Sequence, residues 1–162
     1  MIIRTAKSDD APGIADIWNL QIRDTANTFT TLEKTPAGLA HDIETRRSEG
    51  KSFLVAEDGD RVIGFATYFQ FRGGPGYAHT MEHSLALVPE AQGKGIGPNL
   101  MSTLESQARA AGIHSMFAAI SAENPRAVTF HECIGYRKVG VMPEVGRKFD
   151  RWIDLILLQK LL

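Results

Sequence analysis

The sequence predicts an α/β fold, a mixed sheet with helices on both faces. Three observations carry this reading. Apolar residues recur at helical spacing at Ile14, Ile17 and Trp18, and again at Ile96, Leu100, Met101, Leu104 and Ala108. Short apolar and aromatic runs, among them Phe53 to Ala56 and Arg61 to Phe71, alternate with these segments and read as strands. Between them, Glu82 to Ala111 passes from strand through a glycine turn into a helix.

In chain order, Ile2 to Ala6 reads as a first strand. Ser8-Asp9-Asp10 supplies an N-cap and an acidic first turn, Pro12 suits an early helical position, and Ile14, Ile17, Trp18 and Ile22 give the helix its apolar face, with Trp18 in the core. Asn27 to Thr35 is a polar loop that carries Phe29 and Leu32. It is either a surface connection or a loop that covers substrate. Thr35-Pro36 starts a second helix that ends near Gly50. Phe53 to Ala56 and Arg61 to Phe71 form a hairpin about Glu57-Asp58-Gly59-Asp60, where Gly64 marks a bulge or close packing. Arg72-Gly73-Gly74-Pro75-Gly76 is a loop. Its arginine is either a plain surface charge or a clamp for a carboxylate or phosphonate. Tyr77 to Val88 is a strand, and a helix ending at Gly112 follows the glycine turn. His114 to Ser121 is a strand, and Ala118-Ala119-Ile120 suits one buried on both faces. A short helix opens at Glu123-Asn124-Pro125 and ends at Ile134-Gly135. Tyr136 to Met142 and Trp152 to Leu158 close the sheet as an antiparallel pair, with Pro143 to Phe149 as a loop between them.

The totals bound the function. The 162 residues suffice for one domain, 1–162, with a real core. A net charge of −1 argues against a nucleic-acid surface. The lone Cys133 forms no internal disulfide, which suits a reducing, cytoplasmic setting, and it reads as a small buried apolar residue. Neither a signal peptide nor a membrane-spanning run is visible, so no membrane partner is expected.

The glycine turn is an expected anion site. Gly93, Gly95 and Gly97 let successive N–H groups point into one concavity, and the helix behind adds its positive end. Lys94 adds a charge, and Pro98 fits the first helical turn. The spacing matches neither a nucleotide-hydrolase phosphate loop nor a dinucleotide fingerprint, whose third glycine is Pro98 here. It does fit Gln-x-x-Gly-x-Gly at Gln92, Gly95 and Gly97.

Three constellations could carry chemistry. His79 and His83 sit on one strand, a spacing that disfavours a metal site. His131-Glu132-Cys133 lacks the second histidine of a zinc protease, and residues two apart on a helix do not pair as nucleophile and base. Glu82 with His131 is the third. Acyl transfer to an amine needs a base that takes a proton before attack, then a group that reprotonates the thiolate.

These residues together carry a family resemblance. His79-Thr80-x-Glu82-His83-Ser84, Val88-Pro89 with Gln92-Gly93-Lys94-Gly95-Ile96-Gly97, and Ile120-Ser121-Ala122-Glu123-Asn124 are its first part. His131-Glu132-x-Ile134-Gly135-Tyr136 and Pro143-Glu144-Val145-Gly146-Arg147-Lys148-Phe149-x-Arg151-Trp152-x-Asp154 complete it. The chain resembles the phosphinothricin and methionine sulfoximine N-acetyltransferase branch of the GNAT superfamily over nearly its whole length.

The resemblance implies a GNAT fold whose central strands splay apart. It implies that Leu85, Ala86 and Leu87 meet the pantetheine arm of acetyl-CoA, that Gln92 to Pro98 hold its pyrophosphate, and that Asn124 lies near the thioester. It implies Glu82 as general base, and His131 where many members place a tyrosine that protonates the leaving thiol. Phe29, Arg72, Tyr77, Glu82, His83 and Ser84 are expected around a small amino-acid substrate. A homodimer without metal is also implied. The alternatives are another amine acceptor, such as a polyamine or a protein N-terminus, a non-catalytic CoA-binding module, and a nucleotide-binding regulator.

Overall fold

The computed structural model describes residues 1–162. Seven strands form one sheet: β1 (Ile2–Thr5), β2 (Phe53–Asp58), β3 (Arg61–Gln70), β4 (Thr80–Leu87), β5 (Ser115–Ser121), β6 (Arg137–Lys148) and β7 (Arg151–Leu161). The spatial order is β1-β2-β3-β4-β5-β7-β6. Only β4 and β5 pair in parallel, and their ladder covers just Thr80↔Ser115, Met81↔Met116 and Glu82↔Phe117. Beyond Glu82, β4 stays paired with β3 as far as Leu87, while β5 pairs with β7 as far as Ser121. The sheet therefore forks immediately after Glu82.

Four helices cover the faces: α1 (Ala11–Asp24), α2 (Pro36–Ser48), α3 (Ile96–Ala110) and α4 (Pro125–Cys133). Cross-strand partners share a face, and neighbours along a strand alternate. Trp18 of α1 lies against Phe65, ring centroids 4.7 Å apart, so α1 covers the Phe65 face. Gly64 points the other way, towards Leu87 and Leu100 of α3. A β-carbon on Gly64 would sit 2.2 Å from Leu87 Cδ2, so this glycine serves close packing. It also adjoins the bulge of the hairpin: Ala56 pairs with Gly64 and Glu57 with Val62, which leaves Ile63 as the extra residue of β3.

The helix ends follow their local chemistry. Thr35 accepts a hydrogen bond from the Gly38 N–H, with Pro36 in the first turn of α2. At the start of α1, the Asp10 carboxylate accepts from the Lys7 N–H and from Arg4, which also pairs with Glu57. This joins β1, β2 and the entry to α1. The Arg4 guanidinium is the main reason the Asp10 carboxyl is held below the usual carboxylate range.

Three expectations are corrected. Tyr77 does not open β4: Pro75–Tyr77 is a short 3₁₀ turn, and the strand begins at Thr80. Pro143 to Phe149 is not a free loop, because β6 runs on to Lys148 and only Phe149-Asp150 turn, both with positive φ. Register shifts at Lys138/Gly140 and Met142/Gly146 absorb Pro143 and the glycines, which is why this stretch reads as broken. Cys133, at the end of α4, is exposed, not buried.

Candidate functional site

The Gln92–Pro98 turn has the geometry of a cup. Gly93 and Gly95 have φ of 74° and 76°, a region costly for residues with a β-carbon. The N–H groups of Gly93, Lys94 and Gly95 are used by no other group in the chain. Those of Ile96 and Gly97 stand in the first turn of α3, where no intrahelical partner exists. Gly95 is the N-cap and offers no side-chain acceptor. Five N–H groups, the positive end of a 15-residue helix and Lys94 therefore fall in one short stretch, exposed at Gly93 to Gly95 and buried at Ile96 and Gly97. Gly97 has a different reason to be glycine. A β-carbon there would lie 3.2 Å from the Phe130 ring, so α3 and α4 touch at this point. A shallow cleft of about 440 Å³ runs along α4 beside it, lined by Pro125, Arg126, Thr129 and Phe130.

The fork adjoins this cup. Leu85, Ala86 and Leu87 lie on β4 past its last pairing with β5 and are half-buried. Their side of the strand is open to an extended ligand, which could complete the ladder that β5 abandons. Asn124 sits across the fork as the N-cap of α4. Its Oδ1 accepts from the Ala127 N–H at 3.2 Å, which leaves its Nδ2 for a ligand.

Glu82 stands at the crotch of the fork, between Phe69 and Phe117 of the flanking strands. No side-chain partner binds its carboxylate, and burial raises its pKa above the ordinary value. A carboxylate made more basic in this way is suited to take a proton. Glu82 and Ser84 share the α1 face, where Ser84 is opposite Thr67.

His83 points to the other face and is buried with His131 of α4, whose ring stacks on it at 5.0 Å between centroids. The two Nε2 atoms are 3.1 Å apart, and His131 Nδ1 is 2.7 Å from the Ala127 carbonyl. The structure thus brings His131 to His83, one residue from Glu82 but across the sheet. Tyr136 packs edge-on against both imidazoles. Its phenol is raised far above its usual range, by burial first and then by the charge of Glu105. Glu105 is itself held by Lys160 at 2.6 Å. Sequence spacing gave no hint of this cluster, since its members come from α3, β4, α4, β7 and the turn before β6.

Burial and each other's proximity hold His83 neutral, its pKa pushed down to about 3, and burial lowers His131 as well. An unfolded histidine takes up a proton near pH 6.5, whereas His83 in the fold does not until about pH 3. Between those values the unfolded chain binds more protons, so stability falls as pH falls. The full depression corresponds to roughly 5 kcal/mol at 1.36 kcal/mol per unit. We expect the urea midpoint to drop steadily from pH 6.5 to 4.5, ahead of most carboxylate titration, and to drop less in His83→Phe. An unchanged midpoint over that range would contradict the burial of a neutral pair.

The remaining expected residues lie at the rim. Arg72 and Tyr77 are exposed, with the guanidinium carbon 5.6 Å from the Tyr77 ring centroid. Gln70 pins their loop by donating to the carbonyls of Arg72 and Gly74. Phe71 stacks on Phe117, next to Glu82 in the sheet. His79 does not join His83, because its ring is bonded to the Gly112 carbonyl. Phe29 rests against Gly146 of β6, so closely that a β-carbon there would fall 2.3 Å from its ring. Lys148, two residues on, is buried and donates to the carbonyls of Ile22, Thr25 and Thr28 at 2.6, 2.6 and 2.9 Å. It caps the end of α1 and fixes the start of the Asn27–Thr35 loop. Sequence reading missed this lysine because it sat in a supposed loop. Gly146 inside a strand was the signal of a close approach.

A turn with unused N–H donors beside a forked sheet, with a half-buried carboxylate at the fork, suits a group-transfer enzyme that draws on a phosphate-bearing carrier. Comparison with known proteins specifies the class. The model of the acetyltransferase (GNAT) family matches residues 14–136. An L-methionine sulfoximine/L-methionine sulfone acetyltransferase of Pseudomonas aeruginosa is 38% identical over 161 residues, covering 97% of this chain and 92% of the relative. A phosphinothricin N-acetyltransferase of Streptomyces coelicolor is 32% identical, covering 94% and 91%. Among solved structures, a putative acetyltransferase from Salmonella typhimurium with its cofactor acetyl-CoA superposes with a TM-score of 0.96 at 34% identity, over 100% of this chain and 94% of that one. The chain belongs to the GNAT family and is an N-acetyltransferase.

Proposed function

We propose that residues 1–162 act as one acetyl-CoA-dependent N-acetyltransferase domain. Its acceptor is the α-amino group of a small glutamate-like amino acid, such as methionine sulfoximine, methionine sulfone or phosphinothricin. The observation that carries this reading is the fork that opens immediately after Glu82, with the Gly93–Gly97 cup at its mouth.

The donors of Gly93 to Gly97 would hold the pyrophosphate of acetyl-CoA, with Lys94 alongside. Leu85, Ala86 and Leu87 would pair with the pantetheine arm, and Asn124 Nδ2 would face it from α4. The thioester supplies the acetyl group. Glu82 takes a proton from the acceptor ammonium, directly or through one water, so that the free amine attacks in a ternary complex. This chemistry uses a carboxylate as base and calls for no metal.

Arg72 is the group suited to the acceptor's far end, because a planar guanidinium meets carboxylate, phosphinate or sulfoximine oxygens with paired donors. Tyr77 steadies it, Ser84 lies on the Glu82 face, and Phe29 closes the α1 side. The names of the relatives support a small amino-acid acceptor. A homodimer is supported by Val139, Val141, Met142, Val145 and Trp152, which are exposed on the edge strand β6 and on its neighbour β7. No helix is long and apolar enough to cross a membrane. The lone cysteine and the coenzyme suit the cytoplasm.

Thiol release from acetyl-CoA, measured across a panel of amines, tests the reading. We expect turnover with methionine sulfoximine, methionine sulfone or phosphinothricin well above that with spermidine or a peptide N-terminus. Faster turnover with either of the latter would replace the acceptor. Binding of acetyl-CoA without turnover on any amine would make the chain a non-catalytic module.

A further inference from the structure

The hydrogen bonds of the buried histidines determine where their protons are. The Ala127 carbonyl can only accept, so His131 Nδ1 carries the proton of that 2.7 Å bond. A neutral imidazole has one N–H, so His131 Nε2 is a bare lone pair. The 3.1 Å bond between the two Nε2 atoms then requires the proton on His83 Nε2. His83 Nδ1 is left as a buried acceptor with no partner in the chain. The chain of donors thus runs one way, from His83 through His131 to Ala127. As it rests, His131 has no proton to offer away from its own helix.

The position of the pair matters as much as its polarity. His83 is the first residue of β4 beyond the ladder with β5, and His131 belongs to the helix that covers β5. Their bond therefore ties the two arms of the fork together at its base. Phe130, beside His131, touches Gly97 at the mouth of the phosphate cup. Cup, helix and crotch form one connected piece.

We propose that His83 is a positioning residue. By donating from Nε2 it locks His131 as the Nδ1–H tautomer and pins α4 to β4, which fixes the depth at which a thioester stops beside Glu82. This inference rests on the proposed function for its consequence in turnover, though not for its tautomers. It assigns the histidines a holding part. The proton that returns to sulfur then comes from the acceptor nitrogen: one proton of the ammonium goes to Glu82, a second passes to the thiolate as the tetrahedral intermediate collapses, and the amide keeps the third.

The test has two arms. Nitrogen-15 NMR of the wild-type protein without ligand should show His131 protonated on Nδ1 alone and His83 on Nε2 alone at pH 7. His131 protonated on Nε2 would overturn the proposal. In the second arm, His83→Gln keeps a donor near the Nε2 position, whereas His83→Phe keeps the bulk without one. We expect His83→Phe to lower kcat about tenfold or more with the KM for acetyl-CoA changed less than threefold, and His83→Gln to recover most of the loss. Equal activity of the two variants, or a wild-type kcat in His83→Phe, would refute the positioning role. Correct tautomers in a protein that turns over no amine would instead count against the function, so the two failures are distinguishable.

Discussion

Replacing Glu82 with glutamine is expected to lower kcat by roughly 10²- to 10⁴-fold, the usual contribution of a positioned general base. The shape is retained, and the amide cannot take a proton from an ammonium group. Acetyl-CoA binding should stay within about threefold of wild type, since the cup lies at the other end of the fork from residue 82. The pH profile should change as well. In the wild type, activity falls on the acid side as the carboxylate protonates, and burial places that fall above the ordinary carboxylate range. Residual activity in Glu82→Gln should lose this limb and instead rise with pH as the free amine becomes available. Single-turnover rates with saturating acetyl-CoA, compared from pH 5 to 10, measure both effects. Unchanged turnover would remove Glu82 from the mechanism.

Gly97→Val should act at the opposite end, with the KM for acetyl-CoA raised about ten- to a hundredfold and kcat reduced less. A β-carbon alone would be 3.2 Å from Phe130 Cε2 and 3.4 Å from Cζ, a contact the ring can relieve by shifting a few tenths of an ångström. The two further methyl groups of valine have no such room, so α3 must move off α4. That movement turns the first-turn N–H groups out of the cup, where oriented donors are worth most. Gly97→Ala should show only a mild version, which separates crowding from any general effect of losing a glycine. Isothermal titration with acetyl-CoA and with coenzyme A reads the change directly. Equal affinity in the valine variant would mean that the packing of α3 on α4 does not shape the cup.

The features legible in the sequence were those with a local cause. The glycine turn could be read because Gly93 and Gly95 need positive φ and Gly97 needs space. The helices could be read because Pro12, Thr35-Pro36 and Asn124-Pro125 mark their starts next to regular apolar spacing. The extent of β6 could not, since Pro143 and Gly146 are breakers unless bulges accommodate them. Contacts between distant residues were invisible for a different reason. His83 and His131 lie 48 positions apart, and Lys148 reaches carbonyls more than 100 residues away. No spacing rule encodes such meetings, so Glu82 and His131 could be paired by chemistry in the sequence and yet fall on opposite faces of the sheet. Cys133 was misplaced because short helices such as α4 bury only part of their circumference.

The central claim is that the fork holds acetyl-CoA with its phosphates in the cup and its thioester beside Glu82. A crystal structure of the complex measures this most directly. In that complex we expect the pyrophosphate oxygens within hydrogen-bond distance of the Gly93–Gly97 N–H groups, the pantetheine arm along Leu85 to Leu87, and the thioester within one water of the Glu82 carboxylate. An unfilled cup, or a sulfur lodged away from the crotch of the fork, would contradict it.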